Sequence, residues 1–359
     1  MTPRLQAIYH VRADATSIAA RAQAIAVEQS VEMPLSAIED PEILSGIVGD
    51  VENITDLGNG RFAVTIGLAE TTIGNDSGQL LNMLFGNTSL HDDVVLHDVV
   101  LSPTFAAGFP GVRHGILGLC ARPGEPRRAL TCSALKPQGL SSAALADLAA
   151  RFARGGVDYI KDDHGLADQK FSPFAERVPA IAAALRQVAG ETGRLTHYIP
   201  SLSGDLDRMR RHTALARDAG LSCVMLAPMI AGVATMQALA GAFPDMAIFA
   251  HPALGGAARI APKLLIGKLF PLFGADAVIF PTYGGRFGYS QATCRTLAEN
   301  ARASGALPIP AGGMTLARVP EILDFYGPET MLLIGGSLLD ARQRLTEETA
   351  HFVHAVASH

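Results

Sequence analysis

The hydrophobic and polar positions change rhythm partway along the chain. Up to about Arg113 the elements are mixed. "RLQAIYHVRA" and "RFAVTIGLAE" alternate apolar and polar residues, as half-buried strands do, whereas "TSIAARAQAIAVEQS" and "SGQLLNMLFGN" carry helical spacing. These elements predict a compact α+β domain over residues 1–112. The Gly- and Pro-bearing stretch "AAGFPGVRHG" forms the junction. Beyond it short, continuous apolar runs recur: "ALTCSALKP", "VDYIKDD", "LTHYIPS", "SCVMLAPM", "AIFAHP", "AVIFPT", "LPIPAGG" and "MLLIGGS". Helical stretches such as 143–154, 174–192 and 205–219 separate them. Runs without alternation are what parallel strands covered on both faces require. Eight such units predict an α/β fold, a (β/α)8 TIM barrel over residues 113–359. An open doubly wound sheet fits less well, because no GxGxxG follows the first strand.

Each run ends in polar, Gly or Pro residues, and in a barrel the C-terminal strand ends carry the active site. The second run is the most highly charged. Alternation along "VDYIKDDHG" sends Tyr159, Lys161 and Asp163 one way and Asp162 toward the helices, with His164 just beyond the strand. Lys161 beside Asp163 reads either as a structural ion pair or as part of a metal site. An aspartate offers a hard cation its oxygens, and a lysine carbamylated by CO2 becomes an anion with carboxylate-like oxygens. Lys136 ends the first strand and reads as a surface lysine or as a proton-transfer group. His251 ends the fifth and reads as a hydrogen-bonded core histidine or as a catalyst. The double glycines Gly312–Gly313 and Gly335–Gly336 end strands seven and eight, where barrels often bind phosphate. "PTYGGRFGYS" after strand six reads as a glycine-rich turn or as a lid carrying the anion-binding Arg286.

Composition narrows the partners. The net charge is −5 without a long basic run, which disfavours nucleic acid and anionic membrane surfaces. Four scattered cysteines without a CxxC pair argue against a cysteine zinc site and fit a reducing compartment. No signal-peptide core and no apolar run of bilayer-spanning length is present, so the expected location is the cytoplasm.

Several of these motifs together resemble the Rubisco large-chain superfamily. "GGVDYIKDDHG" is similar to its activation-lysine segment, GGDFxKxDE, and "CSALKPQGLS" to its first barrel strand, KPKxGL. "LLNMLFGN" resembles the segment that ends in an active-site asparagine, "AVEQSVEMP" stands where the family has an active-site glutamate, and "PIPAGG" and "LLIGGS" match phosphate-binding glycines. The resemblance implies a Mg2+ ion held by carbamylated Lys161, Asp163 and the residue at 164. It implies proton transfer by Lys136 and His251, and one phosphate on Gly313, Gly335 and Gly336. Glu28 and Asn87 would reach the site from the second subunit of a homodimer.

Departures from the family pattern refine the activity. His164 replaces a glutamate ligand, Arg286 is the nearest cation to a lost lid lysine, and Phe280 replaces a histidine of a second phosphate site. What is lost serves CO2 fixation and the second phosphate; what remains serves enolisation. The expectation is therefore a Rubisco-like protein (form IV) that is not a carboxylase. It would act on a phosphorylated, sugar-like substrate with one phosphate, first as a 5-methylthioribulose 1-phosphate isomerase of methionine salvage. The alternatives are a 2,3-diketo-5-methylthiopentyl-1-phosphate enolase, a 3-oxo-isoapionate-4-phosphate-type transcarboxylase or hydrolase, and a non-catalytic binding or regulatory protein.

Overall fold

The computed structural model describes residues 2–121 and 128–359. The chain forms two compact units, one of residues 1–111 with 254–265, the other of residues 112–253 with 266–359.

The first unit is built on an antiparallel sheet of β1 (Arg4–Arg12), β2 (Asp50–Gly58), β3 (Arg61–Ala69) and β4 (Val94–Val100), in the order β2-β3-β1-β4. Alternation along β1 buries Leu5, Ala7, Tyr9 and Val11, and β3 buries Phe62, Val64, Ile66 and Leu68. The helix Ile18–Glu28 adds Ile18, Ala22, Ile25 and Ala26 to this core. The β2–β3 turn runs through Gly58, Asn59 and Gly60, all at positive φ, which glycine and asparagine adopt at least cost. Between β1 and β4 the register slips, with Ile8 opposite Asp98 and Tyr9 opposite Leu96. His97 is therefore the extra residue of a bulge, and its ring stacks on His10 at 3.6 Å. Residues 254–265 join this unit through Leu96, whose N–H donates to the Arg259 carbonyl and whose carbonyl accepts from Ala261 N–H. The strand repeat of the second half gave no sign of that excursion.

In the second unit eight parallel strands follow one another: β5 (Leu130–Leu135), β6 (Tyr159–Asp162), β7 (His197–Ile199), β8 (Cys223–Leu226), β9 (Ala247–Ala250), β10 (Ala277–Pro281), β11 (Leu307–Ala311) and β12 (Met331–Leu333). Their order is β7-β6-β5-β12-β11-β10-β9-β8. The two ends meet where Met225 N–H donates to Pro200 O and Leu202 N–H to Met225 O, at 2.9 and 2.7 Å, which closes the barrel. Inside, Cys132, Tyr159, Ile199, Met225, Phe249, Ile279, Ile309 and Leu333 pack into one continuous core. Ile116, from the short helix Gly115–Leu119, belongs to the same core. Buried Asp276 anchors that helix by accepting the backbone N–H groups of Arg113, His114 and Gly115 on one oxygen and Ile248 N–H on the other. These donors compensate a carboxylate that burial alone would make costly. No helix among the described residues is long and apolar enough to cross a membrane.

Candidate active site

The barrel's C-terminal strand ends gather Lys136, Lys161, Asp163, His164 and His251. Lys161 is paired in register with Ala134 of β5 and Ile199 of β7, and only 4% of it is exposed. Its ammonium donates to the Asp162 carbonyl at 2.9 Å. Burial lowers its pKa, against the opposing pull of Cys132 and Asp163. A lowered pKa increases the share of free amine, the form that adds to CO2.

Asp163, 5% exposed, forms an ion pair with Lys136, and its Oδ1 accepts from Gly165 N–H at 2.9 Å. Burial pushes its carboxyl up, but the Lys136 hydrogen bond, the Gly165 N–H and the two lysine charges outweigh this and hold it at about 2. Asp163 is thus ionised at neutral pH. His164 places Nδ1 3.3 Å from Asp163 Oδ1 and lies flat on His251, with ring centroids 4.4 Å apart and an interplanar angle of 8°. Burial lowers the His164 pKa despite the attraction of Asp163. His251 is driven further, to about 2, by burial and then by Lys161. Its Nδ1 accepts from Ala253 N–H at 3.2 Å, which puts the ring proton on Nε2. His251 is therefore a neutral hydrogen-bond donor.

Asp162 faces the opposite way, as strand alternation predicts. It accepts from Arg177 at 3.2 Å, Tyr198 Oη at 2.7 Å and Ser201 N–H at 3.0 Å, all buried. Arg177 also donates to Ser172 O and Ala167 O, so this network holds the loop after β6 in place beside Lys161 and Asp163.

On the other side of the barrel mouth, Gly312 and Gly313 adopt φ of +80° and +73°. A Cβ at Gly313 would lie 2.6 Å from Gly285 Cα, and one at Gly285 would lie 2.5 Å from Gly312 O. The loops after β10 and β11 therefore touch backbone to backbone, and only glycine permits this. A Cβ on Gly335 or Gly336 would meet nothing within 4 Å, which leaves open space over their backbone. Arg286 holds its guanidinium 4.9 Å over the half-exposed Phe287 ring. Phe280 is fully buried against Tyr326.

Residues that sequence reasoning passed over brace this site. Arg318 donates to Tyr283 O and Gly313 O and pairs with Glu321, tying together the loops after β10 and β11. Ser337 Oγ donates to Met314 O and ties the loop after β11 to the one after β12.

Glu28 and Asn87 lie in the first unit, where Asn87 Nδ2 donates to Glu28 Oε1 at 2.9 Å. Buried Gln29 fixes this arrangement. Its amide donates to Asn82 O and Met83 O at the end of the helix Ser77–Phe85, and its Oε1 accepts from Thr88 N–H. The adjacent motifs were the only sequence signal for Gln29.

Among the described residues no three His, Cys, Asp or Glu side chains form a metal-binding group. Asp163 and His164 supply two donors. A carbamate on Lys161 would add an oxygen donor next to them, so the donor set fits Mg2+ on condition that Lys161 is carbamylated. The Lys136 ammonium already sits on Asp163 as a counter-cation.

The family model for the ribulose bisphosphate carboxylase large chain, catalytic domain, matches residues 112–304. The chain is 58% identical to a 5-methylthioribulose-1-phosphate isomerase of Rhodospirillum rubrum, over 99% of this chain and 97% of that protein. It is 54% identical to ribulose bisphosphate carboxylase-like protein 1 of Rhodopseudomonas palustris, over 100% and 99%. The crystal structure of a Rubisco-like protein from Rhodopseudomonas palustris superposes with a TM-score of 0.93 at 50% identity, covering 100% of this chain and 99% of that one. The barrel, the site at its mouth and these matches together place the chain in the Rubisco large-chain family, as a Rubisco-like protein.

Proposed function

We propose that the protein is a 5-methylthioribulose 1-phosphate isomerase of methionine salvage, moving protons along a single-phosphate ketose. The observation that carries this reading is the pair of lysines, Lys136 and Lys161, flanking one ionised, buried carboxylate, Asp163, at the barrel mouth. The 58% identical isomerase supports the substrate assignment.

The phosphate would rest on the backbone of Gly312–Gly313 and Gly335–Gly336, with Arg286 above it. Buried Phe280 offers no cation for a second phosphate, which favours an apolar thioether at the far end. Lys161 as a carbamate, Asp163 and His164 would hold Mg2+. When bound, the ion would polarise the ketose carbonyl and its neighbouring hydroxyl, which acidifies the adjacent C–H. With Asp163 given over to the cation, Lys136 Nζ would lose its carboxylate partner, and its neutral amine, formed once the ammonium proton has passed to solvent, would act as the base that takes the carbon-bound proton. The Lys161 carbamate is the competing base. His251 donates Nε2–H to the oxygen on which charge develops. Return of the proton to the neighbouring carbon completes the isomerisation. The protein would act as a cytoplasmic homodimer, with Glu28 and Asn87 completing the partner's site.

The test is incubation with 5-methylthioribulose 1-phosphate, Mg2+ and bicarbonate in D2O, followed by NMR. Deuterium entering the carbon skeleton together with formation of an isomer is the expected result. Exchange without isomerisation, or turnover only of the diketo phosphate, would favour the enolase reading. No exchange in either substrate would overturn enolisation altogether.

A further inference from the structure

Asn87 does not face Glu28 alone. Its Nδ2 also donates to Glu32 Oε1 at 3.0 Å, beside the 2.9 Å bond to Glu28 Oε1. Glu32 reaches it from a left-handed backbone, φ +53°, directly after the turn that ends the helix Ile18–Glu28. A non-glycine residue there costs roughly 1 kcal/mol and persists where the surroundings over-determine it. Its N–H still bonds to Val27 O at 2.9 Å, so the turn is ordered.

The chemistry of the three groups fixes their roles. An ionised carboxylate only accepts hydrogen bonds, and an asparagine amide has two N–H donors and one acceptor oxygen. Glu28 and Glu32 take up both donors. Turning the amide over would set its oxygen against two carboxylates. With Glu28 alone, Asn87 would keep one N–H free for a ligand. With Glu32 added, Oδ1 is the only polar atom left to it.

We propose that Glu32 is a positioning and specificity-determining residue, which makes Asn87 purely a hydrogen-bond acceptor toward substrate. Oδ1 then receives a substrate hydroxyl, and the two carboxylates behind it disfavour a second phosphate. This rests on the reading above that Asn87 meets the substrate.

The experiment measures steady-state kinetics of the full chain with 5-methylthioribulose 1-phosphate, and inhibition by ribulose 1,5-bisphosphate, in Asn87→Ala, Glu32→Gly, Glu32→Gln and the double variant Asn87→Ala/Glu32→Gly. Glycine suits the left-handed backbone, so Glu32→Gly removes the carboxylate without unfolding the turn, and thermal unfolding checks this. Expected is a KM raised about tenfold in both Asn87→Ala and Glu32→Gly with little change in kcat. The double variant should be no worse than Asn87→Ala alone, because the two residues act as one unit. Glu32→Gln, whose amide oxygen still accepts, should stay near the parent KM. The bisphosphate should inhibit Glu32→Gly about fivefold more tightly. If Asn87→Ala raises KM and Glu32→Gly changes neither KM nor bisphosphate inhibition, the role of Glu32 is refuted. If Asn87→Ala itself leaves KM unchanged, the placement of Asn87 at the substrate fails, and the inference falls with it.

Discussion

Asp162 and Asp163 are neighbours in sequence and opposites in environment. Asp162 is fully buried behind the barrel wall, with Arg177, Tyr198 and Ser201 all fixed on it. Asp163 opens to the barrel mouth, where one partner is the Lys136 ammonium, whose side chain is 41% exposed, and another is the half-exposed His164. The first carboxylate has partners it cannot exchange and serves architecture. The second has partners that a cation or substrate can replace and serves chemistry. One residue of strand alternation separates the two roles.

The largest expected effect comes from breaking the architectural pair. Arg177→Met strands the Asp162 charge and should cost about 3–5 kcal/mol of stability, read from urea unfolding. Protein that remains folded should lose some activity, because the loop after β6 is held less firmly, but less than on loss of a proton-transfer group. Lys136→Met should do the reverse. Folding stability should fall by less than in Arg177→Met, because the Lys136 end of the pair is partly exposed and Gly165 N–H still serves Asp163. Turnover should drop by about 10²–10⁴, the range for loss of a proton-transfer group. Equal losses of stability from both variants would erase the distinction.

Gly313→Ala sharpens the comparison at the other side of the mouth. A methyl 2.6 Å from Gly285 Cα, on a left-handed backbone, must push the loops after β10 and β11 apart. KM should rise about tenfold if these loops hold the phosphate, with a smaller change in kcat. An unchanged KM would remove them from the phosphate site.

The smallest effect lies in the first unit. Burial, then Lys263 and His10, lower the His97 pKa to about 4, below the ordinary ~6.5, while Asp98 opposes them. The unfolded chain therefore takes up this proton first as the pH falls. The stability linked to His97 is intact above about pH 6.5 and declines toward pH 4. His97→Gln should flatten that slope slightly in urea midpoints measured at pH 5 and pH 7.5. An unchanged slope would show that the stacked pair does not titrate this way.

The barrel was legible in sequence because parallel strands buried on both faces read as unbroken apolar runs. The opposite orientations of Asp162 and Asp163 followed from the same strand geometry. Legibility failed where a residue's role depends on partners distant in sequence. β2 is mostly exposed and carries no clear apolar alternation, so it left no strand signal. Residues 254–265 look like part of the barrel repeat yet pair with Leu96. Gln29, Glu32 and Arg318 act through carbonyls and amides that only the fold brings near them. The chemistry-bearing lysines stood out because charge at the end of an apolar run needs a reason. Their braces did not, because polar residues in loops need none.

The central claim is that Asp163, and not Asp162, organises the reacting centre. It is tested most directly by the rate of deuterium incorporation into 5-methylthioribulose 1-phosphate by Asp163→Asn, compared with the parent protein at equal folded fraction in Mg2+ and bicarbonate. The account predicts rapid exchange by the parent and a loss of at least about 10²-fold in the variant, a loss that remains after correction for its lower folding stability. Exchange by Asp163→Asn at the parent rate would contradict it.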